Sequence, residues 1–487
     1  MLQMFRDCNV HDSLREMHAR VLTDGSTLFI VFTTTTLDLV VAREFLQLHM
    51  LEFQCGGCRA TLEEVGSAPS FPFCFRSCSL TVEDFCFAQT APMFGKVGGM
   101  ASGMADPGAS RWKNLLRACC HVGRATVSVF HDSLDMEMAC LSAWTQACAS
   151  TTAVKIVIPA GTYQMGAVDV KGPCKAPIEV QVDGTIQAPT NVVNLKGADQ
   201  WLKVQHVNSF TLSGKGVFDG QGPTAWKQND CTTNKNCKML CMNFGFNFLN
   251  NSIVRDLTSK DSKNFHVNVL GCNNMTFDGF KISAPAESPN TDGIHIGRST
   301  DVKVLNTNIA TGDDCISLGD GNKNITVQNV NCGPGHGISV GSLGRYDNEE
   351  AVEGLLVKNC TLNNTDNGLR IKTWPSTPLT ITVTDMHFED ITMENVSNPV
   401  IIDQEYCPWN QCSKKNPSKI KISKVSFKNI KGTSGTKEGV IFICSSVAPC
   451  EGVEMTDVDL TFNGAATTAK CANVKPVITG KAPTCAA

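Results

Sequence analysis

Short apolar stretches separated by Gly, Asn and Asp occupy the chain from Val154 onward. Within each stretch every second residue is apolar, which is typical of a β-strand with one buried face. Several segments of eight residues share the order apolar-x-apolar-x-x-apolar-x-apolar, and one of them has Thr at an apolar position. They are Met275–Ile282, Val302–Ile309, Ile325–Cys332, Leu355–Leu362, Ile381–Phe388, Ile420–Phe427 and Val453–Leu460.

The two-residue interruption in this repeat resets the alternation, as a corner between two short strands requires. The segments begin roughly 20–40 residues apart, a period typical of solenoid proteins. A chain that turns corners and advances one strand spacing per coil, about 4.8 Å, forms a β-helix. Hairpins of an antiparallel sandwich would instead show a turn signal about every 8–12 residues. The pattern therefore predicts an all-β, right-handed parallel β-helix.

The chain before this repeat has a different character, and we divide the protein into residues 1–138 and 139–487. Residues 139–487 are expected to form the β-helix domain. Residues 1–138 are rich in Cys, Met and Phe and show little periodicity, so they form an atypical N-terminal region of unknown fold, either disordered or an artefact of the gene model. Four of its cysteines are spaced loosely like zinc-ribbon ligands, although accidental spacing is the favoured interpretation: Cys55, Cys58, Cys74 and Cys78.

Another short strand ends each of four consecutive coils, and each of these strands follows a polar residue. Aligning the strands puts Asp292, Asp314, His336 and Asn367 in one column, and Asp313 lies one residue before Asp314. Because coils stack about 4.8 Å apart, these side chains should meet although they are distant in sequence. The aligned strands are Gly293–Gly297, Cys315–Gly319, Gly337–Gly341 and Gly368–Lys372.

A structural role at a corner is the plain alternative, since Asp and Asn often bond the backbone in turns. That role explains a single Asp well. It explains three acids and a histidine on adjacent coils poorly, because a column of like charges is destabilising. The cluster therefore predicts an active site.

Two cations follow on the next strand. Arg370 and Lys372 alternate along it and so project from the same face, and Arg370 aligns with His295, Ser317 and Ser339. Simple ion pairing with the acids is one interpretation. The sharper one is a site for a sugar carboxylate, because a guanidinium group matches a carboxylate geometrically.

Composition narrows the ligand class and the compartment. Charged residues are 18% of the chain and the net charge is −4, so no basic field favours nucleic acid. The 24 cysteines indicate an oxidising compartment. No apolar run reaches the roughly 20 residues of a membrane span, and residues 1–10 lack the apolar core of a signal peptide. Secretion is instead supported by N-x-[ST] sequons at Asn250, Asn274, Asn324, Asn359, Asn363 and Asn395.

At these residues the chain resembles the polygalacturonases, a family of inverting glycoside hydrolases. The resemblance covers residues 140–487 and has its motifs in family order and spacing. The run Gly341–Asn348 and the segment Tyr406–Pro408 look most like plant pollen-type exopolygalacturonases. The motifs are Ser288–Gly293 (SPNTDG), Gly312–Cys315 (GDDC), Gly335–Ser342 (GHGISVGS) and Arg370–Lys372 (RIK).

The resemblance implies exo-acting, inverting hydrolysis of the α-1,4-galacturonosidic bonds of polygalacturonate. Asp313 would be the general acid, Asp292 and Asp314 would activate the attacking water, and His336 would tune or reprotonate the acid. Inverting hydrolysis needs acid and base about 6.5–9.5 Å apart, with room for water. No metal or other cofactor is implied. Galacturonate would bind to Asn290, Arg370, Lys372 and Tyr406.

The resemblance also implies a secreted, monomeric cell-wall enzyme with pectin as its substrate and no nucleic-acid or membrane partner. Only the end of the family's capping helix is recognisable, in Ala143–Cys148, and residues before 140 must cap the open β-helix in another way. Cys315 and Cys332 lie on adjacent coils and could form a bridge. The other family-like pairs, whose connectivity sequence alone leaves open, are Cys444 with Cys450, Cys471 with Cys485, and Cys148 with Cys174.

Three other functions stay open. A pectate-lyase-like enzyme would need calcium and a basic proton abstractor, whereas this chain has an acid cluster with a histidine. An endo-acting polygalacturonase would differ in the loops that close the cleft. An inactive cell-wall-associated homologue would keep the motifs but lose activity because of its altered N-terminal region.

Overall fold

The computed structural model describes residues 133–229, 240–408, 410–413 and 415–485, and four strands nearer the N-terminus. Contacts divide the chain into Met1–Phe130 and His131–Ala487. The prediction of a separate region over residues 1–138 falls largely outside the described residues, and its boundary stays a prediction.

In the first unit the described residues form two antiparallel hairpins, β1–β2 and β3–β4. Cys55 and Cys58 are paired in the backbone register of the second hairpin. Cys74 and Cys78 lie outside the described residues, so the spacing pattern of these four cysteines stays without a structural test. The strands are His18–Thr23 (β1), Thr27–Thr33 (β2), Glu52–Cys55 (β3) and Cys58–Thr61 (β4).

The second unit is a coil whose strands stack into three sheets. Sheet 1 begins with Val154–Ile158 (β5), Ile178–Val182 (β8), Phe210–Ser213 (β11), Asn250–Arg255 (β14), Asn273–Asp278 (β17), Thr300–Leu305 (β20) and Lys323–Gln328 (β23). Sheet 2 begins with Thr162–Gln164 (β6), Thr185–Gln187 (β9), Val217–Asp219 (β12), Thr258–Lys260 (β15), Lys281–Ser283 (β18), Asn308–Ala310 (β21) and Asn331–Cys332 (β24). Long strands then run through both sheets: Val352–Asn363 (β26), Thr382–Val396 (β28), Lys421–Ser434 (β30) and Glu451–Phe462 (β32).

Sheet 3 carries the strands that follow the predicted site residues. In spatial order they are Val168–Lys171 (β7), Gln200–Gln205 (β10), Met242–Asn247 (β13), Val267–Leu270 (β16), Ile294–Gly297 (β19), Ile316–Leu318 (β22), Ile338–Leu343 (β25), Asn367–Thr373 (β27), Asn398–Asp403 (β29), Glu438–Ile443 (β31) and Thr468–Ala472 (β34). Val477–Thr479 (β35) extends sheet 1, and Ala465–Ala466 (β33) pairs antiparallel with β32.

Neighbouring coils pair in parallel throughout the described part of the three sheets. This pairing confirms the predicted parallel β-helix and excludes the antiparallel sandwich. The corners that lead from sheet 2 into sheet 3 differ in length, as residues 284–293 and 311–315 illustrate.

A residue with positive φ marks the corner between sheets 1 and 2 in successive coils. At Asn306, Asn329, Asn359, Asp390 and Asn429 this angle lies between 51° and 58°. Asn and Asp tolerate this left-handed conformation better than most residues. Their amides also form a ladder, because Nδ2 of Asn329 donates to Asn306 at 2.9 Å and Nδ2 of Asn359 donates to Asn329 at 2.8 Å. The two-residue interruption in the repeat is therefore a corner, as predicted.

Two of the predicted repeat segments have the wrong register. Leu355 pairs with Met386, which pairs with Val425, and Val425 pairs with Val453. The equivalent segments therefore start at Met386 and Val425, five residues after the predicted starts at Ile381 and Ile420. Apolar residues continue on both sides of these segments with the same spacing, so the pattern fits either frame, and only pairing between coils decides.

The core is filled by side chains that stack from coil to coil. Phe427 is 1% exposed, and its ring lies 5.0 Å from that of Phe388 and 5.7 Å from that of Phe442, measured between centroids. The interplanar angles are 6° and 25°. Registered coils repeat similar apolar residues at the same height, which brings the rings together.

A helix covers the first coil. Helix α1 spans Ser133–Ala149, and its buried residues Met136, Ala139, Ala143 and Ala147 recur at helical spacing on one face. The helix contacts β5, β6 and β7, the three strands of that coil. It thus packs against every strand of the coil for which the sequence required a cap. The other helical segments of the described residues are Gly222–Trp226 (α2) and a 3₁₀ turn at Val192–Leu195. None of the described helices has the length and apolar character of a membrane crossing.

Disulfides join corners of the coil. All four pairs considered from the sequence are present, and the described residues hold one further disulfide, within the segment after β29, that the sequence did not indicate. The pairs are Cys148–Cys174, Cys315–Cys332, Cys444–Cys450, Cys471–Cys485 and the unforeseen Cys407–Cys412.

We expect Phe427→Ala to lower the free energy of unfolding by about 3–5 kcal/mol, because it opens a cavity in the aromatic stack. Phe427→Leu should cost about 1–2 kcal/mol. Urea unfolding followed by circular dichroism measures both. The control Val477→Ala changes a side chain that is 62% exposed and should stay within about 0.5 kcal/mol of the parent. Equal losses in all three variants would contradict the stacked core.

Candidate active site

The predicted column of polar residues is present. Ile294 pairs with Ile316, Ile316 with Ile338, and Ile338 with Leu369, so β19, β22, β25 and β27 have the register expected from the sequence. The backbone of Gly293 donates to the carbonyl of Asp314 at 2.9 Å, and that of His336 to the carbonyl of Asp313 at 2.7 Å. The corners before these strands therefore place Asp292, Asp313, Asp314 and His336 on adjacent coils.

Asp314 lies at the centre of the cluster and is 2% exposed. Oδ1 accepts from Nη2 of Arg370 at 2.8 Å and from the hydroxyl of Ser339 at 2.8 Å. Oδ2 accepts from Nζ of Lys372 at 2.8 Å. The predicted ion pairing of Arg370 and Lys372 is thus present, while their binding of a sugar carboxylate stays a prediction.

These cations determine the charge state of Asp314. Burial is the largest single influence on its pKa and raises it, but Lys372 and Arg370 together with the hydrogen bonds outweigh burial and lower the pKa to about 2. Asp314 therefore favours its ionised form at neutral and mildly acidic pH.

Asp292 has the opposite environment. It is 6% exposed, and Oδ2 accepts from the hydroxyl of Ser317 at 2.9 Å. Burial raises its pKa well above the ordinary value, and the neighbouring charges of Asp313 and Asp314 raise it further, against a smaller opposing effect of Lys372. One column thus holds a carboxyl whose pKa is lowered by its cations and another whose pKa is raised by burial and by neighbouring acids.

Asp313 and His336 form a hydrogen-bonded pair. Nδ1 of His336 lies 3.0 Å from Oδ1 of Asp313, which also accepts from the backbone of Asp314 at 2.8 Å. Nε2 of His336 lies 3.4 Å from Oδ2 of the exposed Asp366. The hydrogen bond to Asp313 is the main cause that raises the pKa of His336.

Two of the predicted galacturonate-binding residues, Tyr406 and Asn290, lie in different surroundings near the acids. Tyr406 borders the cluster, since Nζ of Lys372 lies 5.4 Å from its ring centroid and the ring of Trp374 lies edge-on at 5.5 Å. Asn290 lies two residues before Asp292, and its amide donates to Oδ1 of Asn264. No hydrogen bond among the described residues joins Asn290 to the three acids.

Three potential metal-ligand groups lie close together in the cluster. Ligand atoms of Asp313, Asp314 and His336 lie within 4.8 Å of one another. However, both oxygens of Asp314 already bind the cations Arg370 and Lys372, which oppose a further positive charge. The residues fit a divalent ion poorly.

Some neighbours of the acids lie in the predicted alignment but have contacts that only the structure reveals. Ser317 and Ser339 were aligned with Arg370, yet their contacts with Asp292 and Asp314 come from the structure. Asp366 was not considered, although the same alignment puts it in the column of Asp313, two coils further on.

The chain is similar to known proteins over its β-helix. The model of glycosyl hydrolases family 28 matches residues 148–485. A polygalacturonase of Medicago sativa is 70% identical over 358 residues, which cover 72% of this chain and 85% of that protein. An exopolygalacturonase of Oenothera organensis is 54% identical over 350 residues, which cover 71% of this chain and 96% of that protein.

A solved structure agrees with the fold. The endo-xylogalacturonan hydrolase from Aspergillus tubingensis superposes with a TM-score of 0.62 at 24% identity, over 70% of this chain and 96% of that chain. At this identity the likeness concerns the fold alone.

We expect Asp292→Asn to stabilise the protein at pH 7, raising the thermal midpoint by about 2–4 °C. Above the ordinary pKa of 3.8, the Asp292 carboxyl loses its proton in the unfolded chain but keeps it in the folded chain. The free energy of unfolding therefore falls as the pH rises, until the pH exceeds the raised pKa of Asp292 in the folded state. Asn removes this cost. Scanning calorimetry at pH 7 and near pH 3.5 measures the difference, and the gain should vanish at the lower pH. A loss of stability at pH 7 would contradict the raised pKa.

Proposed function

The chain belongs to family 28 of the glycosyl hydrolases, and on that premise we propose that it hydrolyses the α-1,4-galacturonosidic bonds of polygalacturonate with inversion. The single observation that carries this proposal is the cluster of three acids on adjacent coils, with Arg370 and Lys372 against one of them. The proteins of Medicago sativa and Oenothera organensis, named as a polygalacturonase and an exopolygalacturonase, support the substrate.

Asp313 is the general acid in this proposal. Its Oδ1 is occupied by the backbone of Asp314 and by His336. Within the described residues no donor reaches Oδ2, so this oxygen can carry a proton to the glycosidic oxygen. The sugar bond then breaks as that oxygen takes the proton.

Asp292 and Asp314 divide the work on the attacking water. Because the pKa of Asp292 is raised by burial, it is the stronger base and takes the proton of the water while the remaining oxygen bonds to the anomeric carbon. Asp314 keeps its charge and orients the water, since its pKa of about 2 makes it a weak base. An inverting mechanism needs these two roles on the face opposite the acid.

His336 restores the acid after each turnover. Its side chain is 36% exposed and can exchange protons with solvent, while Nδ1 faces Asp313 at 3.0 Å. The exposed carboxylate of Asp366 faces the other ring nitrogen and favours the charged ring.

The substrate carboxylate binds to the cations. Lys372 and Arg370 use only some of their hydrogen-bond donors on Asp314 and Ser339. Each cation has further donors for the substrate, since an ammonium group has three and a guanidinium group has five. Tyr406, beside Lys372, supplies a ring face for the sugar, and Asn290 supplies an amide.

A lyase is the second candidate, and the charge distribution disfavours it. β-Elimination needs a base able to remove a carbon-bound proton, whereas Arg370 and Lys372 are tied to Asp314. Release of reducing ends without calcium, and without unsaturated product, would favour hydrolysis over both a lyase and an inactive wall protein. The disulfides agree with our proposal that the enzyme is secreted to the cell wall. We also propose that it acts there as a monomer.

We expect Asp313→Asn to lower kcat by about 10²–10⁴-fold, because it removes proton transfer to the leaving oxygen. Circular dichroism should show an unchanged fold. The control Asp183→Asn alters an exposed carboxylate on an early coil and should retain activity. Full activity of Asp313→Asn would rule out Asp313 as the acid.

We expect the action on long polygalacturonate to be exo, with monomer as the sole early product and with the β-anomer formed first. Chromatography of products and proton NMR of the first turnover measure these two features. A ladder of oligomers would indicate endo action, and an α-anomer would contradict inversion.

A further inference from the structure

Two serines on adjacent strands of sheet 3 occupy equivalent positions beside the acids. Ser339 accepts from Nε of Arg370 at 3.0 Å and donates to Asp314 at 2.8 Å. Ser317 lies 2.8 Å from Nδ1 of His295 and donates to Asp292 at 2.9 Å. Each hydroxyl thus connects a carboxylate of the preceding coil with a nitrogen side chain, which comes from that same preceding coil at Ser317 and from the following coil at Ser339.

We propose that His295, acting through Ser317, is a positioning residue that holds one oxygen of Asp292 and reserves the other for the attacking water. This role rests on the proposed function, since it concerns the base of that reaction. It gives both residues a task that the hydrolase motifs do not assign.

The direction of the hydrogen bonds follows from the acid. An ionised carboxylate only accepts hydrogen bonds, so Ser317 donates its proton to Oδ2 of Asp292. The oxygen of Ser317 then accepts from His295, which fixes the ring as the tautomer with hydrogen on Nδ1. Oδ1 of Asp292 remains for the proton of the water.

His295 is held neutral in this arrangement. Burial lowers its pKa to about 4, the charges of Asp314 and Asp320 act against this change, and Lys372 adds to it. The ring of Phe265 lies 5.5 Å away, between centroids. The absence of a side chain on Gly319 leaves room for the imidazole, since a Cβ there would lie 3.2 Å from Nε2.

Neutrality matters because a cation in this place would weaken the base. Arg370 touches Asp314 directly and, with Lys372, keeps that carboxylate charged. The groups that face Asp292 are Asp313, Asp314 and Lys372, besides Ser317. A neutral imidazole behind a hydroxyl orients Asp292 without adding positive charge, so Asp292 is oriented and remains basic.

The first test is the pH profile of kcat/KM on polygalacturonate. Ser317→Ala removes a hydrogen bond that favours the ionised form of Asp292, and so raises the pKa of this carboxyl. The acidic limb of the profile, where Asp292 loses its proton, should therefore move to higher pH by about one unit. We expect kcat to fall about 10-fold with KM nearly unchanged. An unmoved limb in a folded variant would overturn the proposal.

Two substitutions of His295 separate positioning from packing. His295→Asn keeps a hydrogen-bond donor near the place of Nδ1, so the acidic limb of its pH profile should stay within about 0.3 pH unit of the parent. His295→Leu has no donor and should shift the acidic limb as Ser317→Ala does. Equal shifts in both variants would overturn the role of the hydrogen bond. Urea midpoints report folding for each variant.

The chain offers a matched control. Nδ1 of His387 lies 2.6 Å from the hydroxyl of Ser426 on neighbouring coils of sheet 1. Ser426→Ala removes the same kind of contact from a different sheet. It should leave the acidic and the basic limb of the pH profile unchanged. A shift as large as that of Ser317→Ala would mean that any such deletion perturbs the profile, and would overturn the inference.

The second test needs no turnover. Nitrogen-15 NMR of histidine-labelled protein should show His295 with hydrogen on Nδ1 in the parent and a mixture of tautomers in Ser317→Ala. Hydrogen on Nε2 in the parent would overturn the proposal. If the parent fails to hydrolyse polygalacturonate, the proposed function fails, while the tautomer still decides whether the hydrogen bonds run as argued.

Discussion

The site depends on one constraint, the register in which each coil pairs with the next. Backbone hydrogen bonds between sheet 3 strands fix the height of every corner residue relative to its neighbours. A slip of one residue would turn His295, Ser317 and Ser339 into the core and bring their apolar neighbours out. Residues that are distant in sequence form one cluster because coils are stacked about 4.8 Å apart.

Within that register, the surroundings give two buried carboxyls different properties. Lys372 and Arg370 keep Asp314 ionised, whereas burial and neighbouring acids make Asp292 a proton acceptor. This arrangement is locally unfavourable, since three acids lie close together and two of them, Asp292 and Asp314, are buried. The surrounding coil withstands it through its continuous apolar core and through the disulfide of Cys315, which directly follows Asp314.

The sequence predicted the fold and the column of acids because both follow from short-range periodicity and from a repeat that aligns without gaps around Asp292, Asp314 and His336. The segments at Ile381 and Ile420 were predicted in the wrong register, because an apolar pattern that continues with the same spacing fits more than one alignment. The bridges made by Ser317 and Ser339 were also out of reach, because a small hydroxyl on a strand looks alike whether it faces solvent or a carboxylate. The extent of helix α1 was missed for a related reason, as its buried stripe of Met136 and small alanines is weakly apolar.

The unequal corners between sheets 2 and 3 have an evolutionary consequence. Each coil bonds only to the coils above and below it, so residues inserted in a corner such as 284–293 extend outward without disturbing the ladder beneath. Natural variation can therefore change the corner segments around the acids while the strands of sheet 3 keep their register. A single scaffold of this kind can diversify in the length and decoration of the polymers it accepts without reinventing its chemistry.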